Sequence, residues 1–267
     1  MKVYVLLPAF NEQASLASLL GKIFSVEVPG VDELIVVACD DGSSDGTGEI
    51  LERFSQDHRL EVLEHRINRG LGETIRDLFE YATFDADPED IVIRLDADDT
   101  HDPKYIPQML GCMRDGADVV VASRFAPGGG QQGLNGYRKF ISLCANNFMR
   151  FFFPIAGLKE YACGYRAYRA SLLAQAIKIY GNDFIQLKGF GFACTLEKLV
   201  KLKLLGAKFA ETPFQLRYDM KESGSKMVGS VTTLGYLVLV ILYYWPWGGW
   251  RTYYRGLVNQ ERTDTGE

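Results

Sequence analysis

At 267 residues, with 47% hydrophobic and 24% charged residues, the chain can bury a core as one large domain, or as one domain with an appendage. A net charge of −5 leaves no basic excess of the kind that broad nucleic-acid binding needs, so that class is set aside. Five widely spaced cysteines without a Cys-x-x-Cys pair read as reduced thiols in a cytosolic compartment, not as a disulfide frame or zinc site.

The chain opens on an apolar strand, Val3–Leu7, so no signal peptide is expected. That strand runs into Pro8-Ala-Phe-Asn-Glu12. A second strand, Glu33–Cys39, ends at Asp40-Asp41-Gly-Ser-Ser-Asp45-Gly-Thr47, where Asp45 to Thr47 supplies a helix start ahead of the helical spacing over Glu49–Phe54. Leu60–Glu64 is the third strand. Over Leu71–Ala82, Leu71, Ile75, Leu78, Phe79 and Ala82 fall on one helical face. Ile91–Leu95 and Ala117–Ala122 complete the strand candidates. This βαβα order predicts an α/β fold with a mostly parallel sheet and helices on both faces.

The regularity stops at Phe125. The stretch from Ala126 to Gly133 is too glycine-rich to hold one structure unaided, and reads either as a mobile loop over a site or as a passive linker. Leu196–Leu205 carries a helical pattern that includes Glu197. Met227 to Trp250 is uncharged, and a helix from Ser230 to Trp245, ended by Pro246, would be roughly 24 Å long, short of a ~30 Å hydrocarbon core. Tyr243, Tyr244, Trp245, Trp247, Trp250, Tyr253 and Tyr254 cluster beside Arg251 and Arg255. Such rings prefer a membrane headgroup region; the other reading is a buried helix followed by a packed aromatic tail. The division expected is 1–125 and 126–226 as two halves of one domain, and 227–267 as an apolar, membrane-associating tail.

Asp96 and Asp98 close the aliphatic strand Ile91–Leu95 at the sheet edge where ligands bind in open α/β folds. Two carboxylates one residue apart repel each other unless a cation lies between them, and hard oxygen donors suit Mg2+ or Mn2+. Alternate strands deliver Glu12 and Asp40/Asp41 to the same edge. No Gly-x-Gly-x-x-Gly follows the first strand and no P-loop is present, which excludes the two commonest phosphate cradles. His58, His65 and His101 lack metal-like spacing; His101 is expected to cap or orient the loop after the acids.

Pro8-Ala-Phe-Asn-Glu12, Asp40 to Thr47, Asn68-Arg-Gly-Leu-Gly72 and Asp96-Ala-Asp98, in that order and spacing, resemble the family 2 inverting glycosyltransferases of GT-A (Rossmann-like) fold. Further on, Ser123-Arg-Phe125, Tyr137-Arg-Lys139, Asn146-Asn147, Cys163 to Tyr168, Glu211-Thr-Pro213 and Ser225-Lys226 look like the polyprenyl-phosphate branch, which includes the dolichol-phosphate mannosyltransferases. The resemblance covers residues 2–226. It implies metal-dependent, inverting transfer of a hexosyl group from a nucleotide-diphosphate sugar to a dolichyl- or undecaprenyl-type phosphate at the cytosolic face of a membrane. By position, Pro8, Phe10, Glu12, Asp40 and Asp41 would form the nucleotide pocket, with Asp40 or Asp41 accepting from the base. Asp96 and Asp98 would hold the metal, and Thr100 stands where relatives often have Gln or Ser. Arg124 and Arg138 match cations near the acceptor phosphate, Arg217 and Lys226 match a closing basic loop, and Glu197 matches a carboxylate on its helix, a solvated face being the other reading. Two other functions share these residues: transfer to a saccharide or small-molecule hydroxyl, and a non-catalytic nucleotide-sugar-binding subunit of a membrane complex.

Overall fold

Strand β1, Lys2–Ala9, is buried along nearly its whole length because it is covered on both faces, which is what a continuous apolar run signifies. The computed structural model describes residues 1–133, 136–191, 193–220, 229–244 and 249–265. After β1 come α1 (Leu16–Ser25), β2 (Glu33–Asp40), α2 (Thr47–Asp57), β3 (Leu60–Glu64), α3 (Leu71–Phe84) and β4 (Ile91–Arg94). The helix start expected at Asp45 to Thr47 is built as the residue types require: the Asp45 carboxylate accepts from the Thr47 N–H at 3.0 Å. On α3, Ile75, Leu78, Phe79 and Ala82 are buried as the spacing predicts.

The second half continues with α4 (Ile106–Arg114), β5 (Val119–Ser123), β6 (Gly130–Gln132), α5 (Gly136–Phe152), β7 (Arg166–Arg169), α6 (Ala170–Tyr180), α7 (Ala193–Leu204), β8 (Phe209–Pro213), β9 (Gln215–Arg217), α8 (Gly229–Tyr243) and α9 (Gly249–Thr265). Seven strands form one sheet in the order β3-β2-β1-β4-β7-β5-β8. β1 to β4 are parallel, as are β5 and β8, but β7 runs antiparallel to both of its neighbours. The sheet is therefore mixed at one central position and parallel elsewhere.

Two expectations change. The glycine-rich stretch after Phe125 holds a defined course: β6 pairs in parallel with β9, Gly130 opposite Gln215 and Gln132 opposite Arg217. Its glycines allow that approach, since a Cβ on Gly129 would lie 2.3 Å from the Ser123 carbonyl oxygen and one on Gly133 would lie 2.4 Å from the Asp219 nitrogen. The apolar tail also divides its rings between two environments. Tyr243 and Tyr254 are buried and stacked, with centroids 6.0 Å apart, while Tyr253 is exposed. α8 and α9 pack on α7 and on each other. Among the described residues no helix is long and apolar enough to cross a membrane.

The anchor of this packing is Glu197. It is fully buried on α7, so the solvated-face reading fails. Its carboxylate accepts from Lys201 Nζ at 2.7 Å, from the Tyr243 hydroxyl at 2.8 Å and from the Leu187 N–H at 2.8 Å. Lys201 in turn sits 4.7 Å from the Tyr254 ring centroid and donates to the Asp183 carbonyl. A buried pair with all its hydrogen bonds made fixes one arrangement of α7 against α8 and α9.

Candidate active site

The parallel register sets three loops side by side. Ala9 lies opposite Asp40 and Leu6 opposite Arg94, so the residues following β1, β2 and β4 leave the sheet at one edge. The first two loops are laced together. Glu12 N–H donates to the Thr47 hydroxyl at 2.9 Å, Ser44 N–H to the Asn11 side-chain oxygen at 2.8 Å, and Gly46 N–H to the Gln13 side chain at 2.8 Å. Asn11 takes a left-handed backbone (φ 51°) to make the turn, as asparagine tolerates. The third loop joins them through Ser15, whose hydroxyl donates to the Ala97 carbonyl at 3.2 Å. Pro8, Phe10, Glu12, Asp40, Asp41, Asp96 and Asp98 are thus gathered on one edge.

The two acids after β2 do different work. Asp41 is saturated: its oxygens accept from the Arg69 and Gly70 N–H groups at 2.8 Å each and meet His65 Nδ1 at 2.7 Å, pinning the Asn68 to Gly72 turn. Asp40 uses one oxygen on the Ser43 N–H at 3.0 Å, and its other oxygen approaches the backbone of Gly48, where a Cβ would lie 3.1 Å away. Of the two, Asp40 keeps acceptor capacity for a ligand.

After β4, Asp96 is half-buried and ion-paired to Arg94, a fully buried arginine two residues earlier. Asp98 accepts from the Thr100 hydroxyl at 2.6 Å and its N–H at 3.2 Å, so Thr100 orients that carboxylate. Asp99 turns away with φ 58° to meet Lys22 at 2.6 Å and Ser18 at 2.9 Å. His101 fulfils the loop-orienting role: its Nδ1 accepts the Asp96 N–H at 3.0 Å, its ring stacks on Tyr165, and burial pushes its pKa down, so it is neutral. Among the described residues no three His, Cys, Asp or Glu side chains converge as a metal cage. Two carboxylates one residue apart after a strand are a donor set that suits an ion sharing its shell with water and substrate phosphates.

Arg124 follows β5 and is nearly buried. It forms a bidentate pair with the fully buried Glu160, Nε to Oε2 at 2.7 Å and Nη2 to Oε1 at 2.8 Å. Its remaining Nη1 faces Gln131 at 3.3 Å and Ser142 at 3.2 Å. Arg124 is thus held by a carboxylate, with one edge turned towards β6 and α5. Arg138 sits on α5 one turn before Ser142; its side chain is outside the described residues, as is all of Lys226. Arg217 pairs with Asp219 at 2.8 Å, and its N–H donates to the Thr100 carbonyl, which places β9 against the Asp98 loop.

Sequence reasoning missed Arg94 and Glu160. Arg94 had a signal, since a charge inside an aliphatic strand two residues before Asp96 shares its face of the sheet. Glu160 had none, because its partner is thirty-six residues away.

A family model described as "Glycosyl transferase family 2" matches residues 4–176. The chain is 34% identical over 233 residues to undecaprenyl-phosphate mannosyltransferase of Micrococcus luteus, an alignment covering 86% of this chain and 89% of that one. It is 29% identical over 238 residues to dolichol-phosphate mannosyltransferase of Pyrococcus furiosus, covering 89% of this chain and 62% of that longer protein. The fold is similar to that of glucosyl-3-phosphoglycerate synthase from Mycobacterium tuberculosis, solved with Mg2+ and uridine diphosphate, with a TM-score of 0.59, 18% identity, and coverage of 91% and 78% of the two chains.

Proposed function

Because the chain belongs to glycosyl transferase family 2, we propose that it transfers a hexosyl group from a nucleoside-diphosphate sugar to a polyprenyl phosphate. The observation that carries this reading is the convergence of Glu12, Asp40, Asp96 and Asp98 on one sheet edge, in a chain whose relatives include two mannosyltransferases named for polyprenyl phosphates. Pro8, Phe10 and Glu12 line the nucleotide side, and Asp40 accepts from the base while Asp41 holds the turn beside it. Asp96 and Asp98 would hold a divalent ion, Mg2+ or Mn2+, whose charge offsets that developing on the nucleoside-diphosphate leaving group.

The acceptor needs no general base, since a phosphate monoester with a second pKa of about 6 is already an anionic nucleophile at neutral pH. It needs cations to offset its repulsion from the donor. Arg124, positioned by Glu160 with its Nη1 edge towards α5, and Arg138 on that helix fill this role. Arg217, on β9, and Lys226 would supply the cations that close over the donor. The exposed Leu234, Leu237 and Ile241 of α8 share one helical stripe and support contact with the cytosolic face of a membrane.

A transfer assay crossing GDP- and UDP-sugars with a short-chain polyprenyl phosphate tests the proposal. Transfer should require divalent metal, and Asp98→Asn should cost orders of magnitude in rate with the fold intact. Full activity in EDTA refutes the metal assignment. Ready glycosylation of a free sugar with none of the lipid phosphate refutes the acceptor.

A further inference from the structure

The end of α5, the outer side of α7 and the first half of α9 enclose a cavity of about 570 Å³ that shares no residue with the donor or acceptor sites described above. One wall is aromatic and aliphatic, with Phe151, Phe152 and Tyr244 in it. Lys203, Arg251 and Arg255 also line it. Arg251 and Arg255 lie one turn apart on α9, so they share a stripe, while Tyr254 and Val258 face the core.

Among the described residues no acid is paired with these three cations. Burial, together with the neighbouring Arg251 and Arg255, pushes the Lys203 ammonium pKa below the ordinary value. Among the described residues Lys203 reaches only the Pro154 carbonyl, and Arg251 Nε is buried with no hydrogen-bond partner. In a chain of net charge −5, converging cations against an unpaired buried donor form a site that is complete only with an anion present.

The apolar wall narrows the ligand class. Inorganic phosphate would use the cations and leave the rings in water, whereas an amphiphile satisfies both. Phe151 is 76% exposed at the cavity's edge and continues a solvent-facing stripe of α5 through Asn147, Cys144 and Phe140. The cavity therefore opens beside exposed apolar surface of the kind that meets a bilayer.

We propose that this cavity binds an anionic phospholipid of the bilayer, its phosphate on Lys203, Arg251 and Arg255 and one acyl chain along the Phe151, Phe152 and Tyr244 wall. The site would anchor and orient the protein independently of which acceptor it uses. It does not depend on the acceptor assignment, and its failure is read separately from failure of that assignment.

The test is co-sedimentation of the full chain with phosphatidylcholine vesicles, with and without phosphatidylglycerol, together with titration of monomeric short-chain phosphatidylglycerol and of inorganic phosphate. The parent should bind the doped vesicles and the short-chain lipid, and far more weakly the inorganic ion. The Arg251→Gln/Arg255→Gln variant should partition roughly thirtyfold more weakly onto doped vesicles. Its transfer rate with a soluble acceptor should be unchanged. An Arg53→Gln/Arg66→Gln variant, equal in charge but remote from the cavity, should lose less, and Phe151→Ser should weaken short-chain lipid binding. Equal loss in both double variants, or phosphate binding as tight as the lipid, overturns the proposal.

Discussion

Glu197→Ala tests whether the C-terminal helices are part of the folded body. The substitution removes three accepted hydrogen bonds and leaves Lys201 fully buried, with only the Asp183 carbonyl and the surrounding tyrosine rings to stabilise its charge. Breaking a buried pair from one side costs about 3–5 kcal/mol, because the remaining charge stays desolvated. For a chain of this size that lowers the melting temperature by on the order of 10 °C. Urea unfolding followed by circular dichroism gives the free-energy change directly. Tyr243→Phe should cost about 1 kcal/mol by the same measure, since it removes one neutral donor from the carboxylate. Removing both charges, as Glu197→Gln with Lys201→Met, should be less damaging than Glu197→Ala alone. A Glu197→Ala protein within about 1 kcal/mol of the parent would mean that the pair is solvated and that Tyr243 does not hold α8 on α7.

Burial lowers the pKa of Lys198 to about 7 from an ordinary 10.5, so between those values the unfolded chain binds more protons and stability rises with pH. From about pH 7 to pH 9 that rise is about 2 kcal/mol, and Lys198→Met should abolish it; parallel urea curves for the two proteins at both pH values would contradict the assignment. A Cβ on Gly164 would lie 1.4 Å from Arg94 Nη1, so Gly164→Ala should destabilise by about 1–3 kcal/mol and weaken donor binding by displacing Arg94 from Asp96. In an Arg94→Ala background the same substitution should cost much less, and additive losses would show that the two do not interact. Arg124→Lys cannot reproduce the bidentate hold on Glu160, so kcat/KM for the acceptor should fall while the donor dissociation constant stays constant; loss of donor affinity instead would move Arg124 to the other substrate.

The first half was legible because β1, β2 and β4 are buried on both faces and read as largely aliphatic runs, with most polar residues where the chain leaves the sheet. Its family motifs fall in those same loops. The second half was less legible for a physical reason. β7, Arg-Ala-Tyr-Arg, places arginines at both ends of a central strand, and Arg166 is buried by donating to the Thr195 and Tyr161 carbonyls at 2.7 Å each. No local pattern marks a charge satisfied by one carbonyl five residues back and another twenty-nine residues on. The glycines after Phe125 left two readings open for a related reason: without the β9 partner they signify freedom, and with it they signify close approach. The solvated-face reading of Glu197 was open because Lys198, Lys201 and Lys203 follow it in sequence, yet Lys198 and Lys201 turn inward with it.

The reversed strand β7 also has a consequence for the order in which the molecule can assemble during synthesis. β4 ends at Arg94 and β5 at Ser123, but these two strands share no ladder of their own; β7 joins them only once residues 166–169 have been made. Until then a nascent chain presents the open edge of β4 and a β5 with no partner on either side, each an open template for another strand. The carboxylates after β4 therefore reach their final setting late, when Arg166 lies opposite Arg94, and a chain arrested before that point would be prone to pair edge to edge with its neighbours.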